Sequence, residues 1–254
     1  MAALPDLSVQ LYSVRGPLAA DPGGTLARLA GIGFSRVEPF ELVERADVLQ
    51  RTLPASGLAA PTAHAHVVGV ADPAEVFEVA VALGVGTVIE PMVDPARWTS
   101  RAAVEEVAAE LTELAGAAGR HGLRLGYHNH WFELESVLDG RPALEVFAAA
   151  LDPAVVLEVD TYWAGVGGGA GGRDVPALLR RLGDRVRALH LKDGPVDRDD
   201  RAQQPLGSGA MPVAEVVAAA PAVEVPVLEF DAYAGDIFDG IAASYAFARS
   251  LERA

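Results

Sequence analysis

LRLGYHNHWFELESVLDGRPALEVFAAALDPAVVLEVD, residues 123–160, holds one complete structural unit. A short apolar run stops at His128 and His130. An Ala/Leu/Glu-rich segment (141–151) has helical spacing, and a second apolar run stops at Glu158 and Asp160. Strand, helix, strand in that order, with the strands apolar on both faces, is the pattern of parallel strands covered by helices. The same alternation runs outward in both directions. It predicts strands over 7–11, 35–40, 58–66, 86–91, 123–130, 154–160, 186–193 and 225–230. Helices are expected over 25–33, 41–53, 72–84, 100–120, 141–151, 174–182 and 213–219, with a last one closing the chain. DPAEVFEVAVALG (72–84) has an Asp cap, Pro in the first turn and Gly past the end, which marks a helix at both termini.

Eight β–α units in order favour an α/β fold of the single (β/α)8 TIM-barrel type over a doubly wound sheet. The chain has 254 residues, 51% of them hydrophobic, enough for one barrel domain over residues 1–254. No Gly-x-Gly-x-x-Gly follows the first strand, which argues against a dinucleotide fold. GVGGGAGG (165–172) comes after the sixth strand and reads as a flexible loop. The polar stretch PVDRDDRAQQPLGSGAMP (195–212) is a long loop, and long loops in compact domains tend to be functional.

The formal charge is −15 and there is no cysteine. An acidic surface repels a phosphate backbone, so nucleic acid is not an expected partner. Disulfides, thiolate metal sites and thiol nucleophiles are excluded. No apolar run is long enough for a membrane helix, and MAALPDLSVQLYSVR lacks the pattern of a secretory signal, so the expected location is the cytoplasm. Lys192 is the only lysine among 20 basic residues. Arginine does not replace a compact or titratable ammonium, so that lysine stands out.

In a barrel the C-terminal strand ends form the active face. There the chain places Gln10, Tyr12 and Arg15 after strand one, Glu38 after two, His64 and His66 after three, and Glu90 after four. His128, Asn129, His130 and Glu133 follow strand five; Glu158, Asp160 and Trp163 belong to six; His190, Lys192 and Asp193 to seven; Glu229 and Asp231 to eight. Burying so many polar groups is costly unless they pair or bind something. Asp160, His190 and Glu229 lie on neighbouring strands. Two carboxylates and an imidazole suit Mn²⁺, Mg²⁺, Co²⁺ or Zn²⁺. A fourth ligand should come from strand five, where alternation gives His128 and His130 the same facing, opposite Asn129. The alternative is a charge-balanced polar plug.

SVQLYSVRGPL (8–18), GIGFSRVEPF (31–40), LGYHNHWFEL (125–134), LEVDTYWAGVGG (157–168), LHLKDG (189–194), PLGSGAMP (205–212) and VLEFD (227–231) together resemble the sugar phosphate isomerase/epimerase family of xylose isomerase-like barrels. The resemblance spans nearly the whole chain. It implies one divalent metal, Mn²⁺ first among the candidates, held by Asp160, His190, Glu229 and a residue of strand five. Relatives such as the ketose 3-epimerases carry a strand-five glutamate there. This chain has YHNH, so His128 is the expected ligand and His130 the second choice. The departure points toward the YHNHxxE group, which resembles inosose- and keto-sugar-handling enzymes, with Glu133 contacting substrate or serving as acid/base.

The activity so implied is a metal-dependent isomerase or epimerase of a sugar, keto-sugar or inositol-type polyol, working through an enediolate. Glu229, His130 or Glu133 would move the proton and Lys192 would stabilise the enediolate. Gln10, Tyr12, His64, His66 and Trp163 are the expected substrate contacts. A dehydratase or lyase of a keto-sugar or inosose using the same metal site is the alternative enzyme. A non-catalytic sugar-binding barrel is the alternative of another class. An endonuclease IV-like DNA repair enzyme is disfavoured by the acidic charge. A homodimer is one expectation for the assembly.

Overall fold

A computed structural model of the protein describes residues 4–169 and 174–251. Seven parallel strands form one curled sheet. In chain order the barrel strands are β1 (Ser8–Val9), β2 (residues 36–38), β3 (Thr62–His64), β4 (Thr87–Glu90), β5 (Arg124–His128), β6 (Val156–Asp160), β7 (Val186–Leu191) and β8 (Val225–Leu228). The sheet runs β1-β8-β7-β6-β5-β4-β3, and β2 closes it with isolated bridges only, Gln10 to Glu38 and Arg36 to Ala59. The closing hydrogen bonds are short: Glu38 N to Val9 O and Val37 N to Ala59 O are both 2.9 Å. Closure leaves no open edge, so the interior is walled on all sides.

The register sets the height of every strand-end side chain. Asp160 pairs with His190, and His128 with Glu158, so residues far apart in sequence share one layer inside the barrel. Alternation sends the intervening residues outward. Tyr127 therefore points away from the interior into an aromatic cluster with Trp98 and Phe147, ring centroids 4.9–5.3 Å apart. That cluster fixes β5 to the helical layer.

The major covering helices are α1 (Pro22–Ile32), α2 (Ala46–Ser56), α3 (Pro73–Ala82), α4 (Arg101–Arg120), α5 (Ala143–Ala150), α6 (Val175–Leu182), α7 (Val213–Ala219) and α8 (Ile237–Ser250). Most begin at a side-chain cap: Asp21, Asp72, Ser100, Asp174 and Asp236 each accept a first-turn amide, as the sequence signals required. One apolar core runs from Leu7 to Ala248 between helices and sheet.

Several sequence expectations shift: the first strand, expected over 7–11, is Ser8–Val9, and the third, expected over 58–66, is Thr62–His64. The second strand, expected over 35–40, shrinks to 36–38, because Pro39 has no amide to give the ladder and the chain turns away after it. The helix expected at 41 begins at Ala46, after a turn in which Glu41 has a φ of 49°. The glycine stretch begins inside a short helix, Thr161–Val166; its residues 170–172 lie outside the described residues. Among the described residues no helix is long and apolar enough to cross a membrane.

Candidate active site

The interior at the C-terminal end of the strands is filled by charge, in two connected levels. The deeper level centres on Glu158, fully buried. Its Oε2 accepts from His64 Nε2 at 2.6 Å, His128 Nδ1 at 3.1 Å and lies 3.1 Å from His190 Nε2. Glu38 sits beside it, accepting from Gln10 Nε2 at 2.9 Å and His190 Nε2 at 2.7 Å, and from the Thr62 hydroxyl. Gln10 is thus turned inward to hold Glu38 and lies below the cleft.

The outer level is Asp160, His190, Lys192, Glu229 and Asp231. His190 spans the two levels: Nε2 faces Glu38, and Nδ1 donates to Glu229 Oε2 at 2.6 Å. Lys192 Nζ lies 2.7 Å from Glu229 Oε2, 2.7 Å from Asp231 Oδ2 and 2.8 Å from Asp160 Oδ2. The lone lysine therefore sits as a buried cation among three carboxylates. Trp163 lies behind it, the ammonium 5.6 Å from its ring centre. Trp163 is buried against Trp131 and Tyr162 and does not reach the cleft.

These surroundings set the protonation states. Burial works against an imidazolium at His190, but Glu158, Glu229 and Glu38 raise its pKa well above the usual value. His64 is raised too, burial being outweighed by Glu38 and Glu158. His128 goes the other way: burial and the neighbouring His190 push it well below the usual value. Burial lowers His130 to about 4, helped by Lys192. Asp160 is raised to about 6 by burial, against Lys192 and His190. Burial would raise Glu229, yet Lys192 and His190 hold it well below the carboxylate range. Lys192 stays protonated, because Asp160, Asp231 and Glu229 outweigh its burial.

Two groups of donors come close enough to share an ion: Asp160, His190 and Glu229, whose ligand atoms lie within 4.8 Å of one another, and the deeper His64, His128, Glu158 and His190. The donor set fits a divalent cation. Asp160 Oδ2 is buried, with the Lys192 ammonium 2.8 Å away on one side. His128, neutral and with Nδ1 engaged by Glu158, turns Nε2 toward that oxygen at 3.8 Å. Two donor atoms thus face each other. The carboxylates of Glu38, Glu158, Asp160, Glu229 and Asp231 also outnumber the nearby cations. Carboxylates behind ligating histidines fix tautomer and ring orientation, and Glu38 and Glu158 stand in that position.

Above this floor opens a cleft of about 490 Å³. Tyr12, His64, His66, His128, His130 and Glu229 are among the residues that line it. His66 is exposed and bonded to Glu90 Oε1 at 2.8 Å. His130 Nδ1 is buried without a partner. Glu133 is elsewhere: fully buried, it accepts from Tyr127 Oη at 2.7 Å and from the His130 amide at 2.9 Å. Its carboxyl thus pins the turn that carries His130. Asn129, opposite to the two histidines, exchanges hydrogen bonds with the Asp160 backbone and locks β5 to β6.

Asp193 organises the following loop, accepting amides from Gly194, Gly207, Gly209 and Met211. A Cβ on Gly209 would come within 2.2 Å of the Asp193 carboxylate, which explains the glycine in PLGSGAMP. Glu38 and Glu158 were visible in the sequence as strand-end acids without a role. Their signal was position: Glu158 is two residues before Asp160 on one strand, so both face the interior.

The sequence pattern of the xylose isomerase-like TIM barrel family matches residues 44–222. No curated protein matches the chain by sequence. Among solved structures, a sugar phosphate isomerase/epimerase from Parabacteroides distasonis superposes with a TM-score of 0.82 at 20% identity, covering 99% of this chain and 97% of that one. A xylose isomerase-like TIM barrel protein from Mycobacterium smegmatis in complex with magnesium gives 0.72 at 14% identity, covering 99% and 98%. The IOLI protein with a binding zinc atom gives 0.65 at 14% identity, covering 97% and 98%. The match over most of the chain and the closed barrel agree, and the protein belongs to the xylose isomerase-like TIM barrel family.

Proposed function

We propose that the protein is a divalent-metal-dependent isomerase or epimerase of a sugar, keto-sugar or inositol-type polyol, working through an enediolate. The observation that carries this reading is the facing pair of donor atoms, His128 Nε2 and Asp160 Oδ2, 3.8 Å apart beside His190 and Glu229 at the floor of an open cleft. His128, Asp160, His190 and Glu229 would hold the ion; Mn²⁺ is the first expectation, and magnesium and zinc are bound by structural neighbours. The ion supplies Lewis acidity, polarising a carbonyl and acidifying the adjacent C–H.

The chain's own groups do the rest. Glu229 is ionised and reaches the cleft, so it can accept a proton from carbon. His130, uncharged at neutral pH with a free Nδ1, is the second proton carrier. Lys192 stays cationic beside Glu229 and stabilises the developing negative charge. Glu133 acts as a positioning residue for His130 rather than by touching substrate. Tyr12, His64 and His66 line the path of the substrate. The site is read as lying within a single barrel domain of a cytoplasmic enzyme.

The test is metal content and proton exchange. Untagged parent protein should hold about one divalent ion per chain, and Asp160→Asn and His190→Ala should each lose it. The loaded parent should wash deuterium from solvent into a keto-sugar of a screening panel. A parent that binds no Mn²⁺, Co²⁺ or Zn²⁺ would overturn the reading and leave a sugar-binding barrel.

A further inference from the structure

The walls of the cleft differ in chemistry from its floor. Among the described residues, no lysine or arginine lines it. Glu41, Glu44, Asp72 and Glu75 stand along its rim, with Glu229 and Asp231 at the base. The nearby cations are already committed. The Arg15 guanidinium lies 4.1 Å from the Tyr12 ring centre and donates to the Tyr12 carbonyl. Arg45 lies 4.1 Å from the Phe40 ring centre and is paired with Glu41 at 2.7 Å. His66 is matched by Glu90, His64 by Glu38 and Glu158, and Lys192 by three carboxylates. Glu44 and Glu75 have no ion-pair partner among the described residues.

A phosphate group carries up to two negative charges and needs a guanidinium, an ammonium or a nest of amides. This cleft offers it a ring of carboxylates instead. Like charges brought together across a binding surface weaken binding. Apart from these acids and His64, His66, His128 and His130, the lining is apolar. Its apolar members include Tyr12 and Val70, each 39% exposed, and Phe40, and Tyr12 and Phe40 pack edge to face at 5.3 Å. The volume of about 490 Å³ lies in the range of sites that enclose drug-sized ligands and exceeds the needs of one sugar ring.

We infer that the substrate is an unphosphorylated keto-sugar, its carbonyl free, that bears an uncharged, partly apolar appendage such as the aglycone of a keto-glycoside, with the appendage against the Tyr12, Phe40 and Val70 side chains while the carbonyl end reaches the floor. This rests on the proposed reaction for which end enters first. Carboxylates along the rim accept hydrogen bonds from sugar hydroxyls, so they serve a neutral polyol as well as they repel an anion.

Calorimetric titration of the Mn²⁺-loaded full chain tests it, using fructose against fructose 6-phosphate and methyl against 4-nitrophenyl glucoside, with inorganic phosphate as competitor. The neutral sugar should bind about tenfold or more tighter than its phosphate at low salt. Added salt should narrow that gap, as should Glu44→Gln/Glu75→Gln, a pair exposed enough to leave folding intact by thermal melt. The nitrophenyl glucoside should exceed the methyl one, and Tyr12→Ser should erase the difference. Tighter binding of the phosphate, or displacement of the sugar by inorganic phosphate, overturns the inference. Deuterium exchange run on the fructose and fructose 6-phosphate samples, the two sugars with a carbonyl to activate, separates the two readings. A neutral-over-phosphate preference without exchange sinks the proposed reaction alone. Exchange with a preferred phosphate sinks this inference alone. No binding of any of the four sugars sinks both.

Discussion

The two ends of the barrel both carry rings of charge, and the rings are built on opposite terms. At the N-terminal end of the strands, Glu224 is gripped by Arg124 in a two-pronged contact, 2.6 and 3.2 Å, with Arg187 at 3.6 Å. These side chains are 36–45% exposed. At the C-terminal end Asp160, His190, Lys192 and Glu229 are 0–7% exposed. Geometry at the two ends is similar, and solvent is the difference. Exposed pairs gain little because water already solvates both partners. Buried ones have lost that water and depend wholly on each other, so they contribute little net stability as a set yet cost much when one member is removed. Such a buried set at the mouth of a cleft is what the proposed reaction needs.

Removing the lysine tests the buried end most severely. Lys192→Met leaves Asp160, Glu229 and Asp231 without their shared cation. In the presence of a chelator, unfolding by denaturant should show a loss of about 3–5 kcal/mol. A divalent ion should restore part of it, since two of the freed carboxylates, Asp160 and Glu229, belong to the candidate ligands. A loss below about 1 kcal/mol would mean that the buried ring behaves like the exposed one.

Glu133 gives the same contrast a pH axis. Burial raises its pKa from 4.5 to about 8, its hydrogen bonds offsetting only part of that. Its folded form therefore keeps a proton that the unfolded chain releases at lower pH. The unfolded state binds fewer protons between pH 4.5 and 8, so this group makes stability fall as pH rises through that window and level off above it. Glu133→Gln keeps the shape of the protonated acid and removes the titration. The stability of the variant relative to the parent should rise across the window by an amount on the order of 3 to 5 kcal/mol. A difference flat from pH 5 to 8 would show that Glu133 is ionised in the fold.

The same distinction explains what could be read from the sequence. The order of strands and helices was legible because it rests on local signals: apolar runs, Asp and Ser caps, glycine stops. The second strand was misjudged in length because its pairing is limited by Pro39, where the ladder has no donor. That Asp160, His190 and Glu229 meet followed from adjacency of strands six to eight. Which carboxylate meets which imidazole did not, because it depends on the stagger of strands around the barrel. His128 was assigned by strand; that its Nδ1 goes to Glu158 while Nε2 faces Asp160 is a matter of register. Glu133 follows YHNH closely enough to suggest a reacting group, yet its short helix, Phe132–Glu135, turns it inward onto Tyr127. Strand alternation said nothing about a residue beyond the strand. The acidic rim was illegible too, since it is assembled from the loops after β2 and β3 and the start of α3.

The exposed end offers the smallest effect and the sharpest control. Hydrogen bonding to Arg124 lowers the pKa of Glu224, and the contact is bidentate, the best geometry an exposed pair attains. If burial rather than geometry decides the worth of a charge pair, even this one should be weak. A double-mutant cycle on Arg124→Ala and Glu224→Ala should return a coupling of at most about 1 kcal/mol. That coupling should shrink further between low and high salt, because both side chains are open to counterions. Arg187 remains near Glu224 in the Arg124 variant and keeps part of the attraction, which pushes the measured coupling lower still. A coupling of several kcal/mol, insensitive to salt, would mean that the N-terminal ring clamps the barrel shut. The contrast between a functional mouth and an ordinary solvated base would then have to be redrawn around strand geometry instead of solvent.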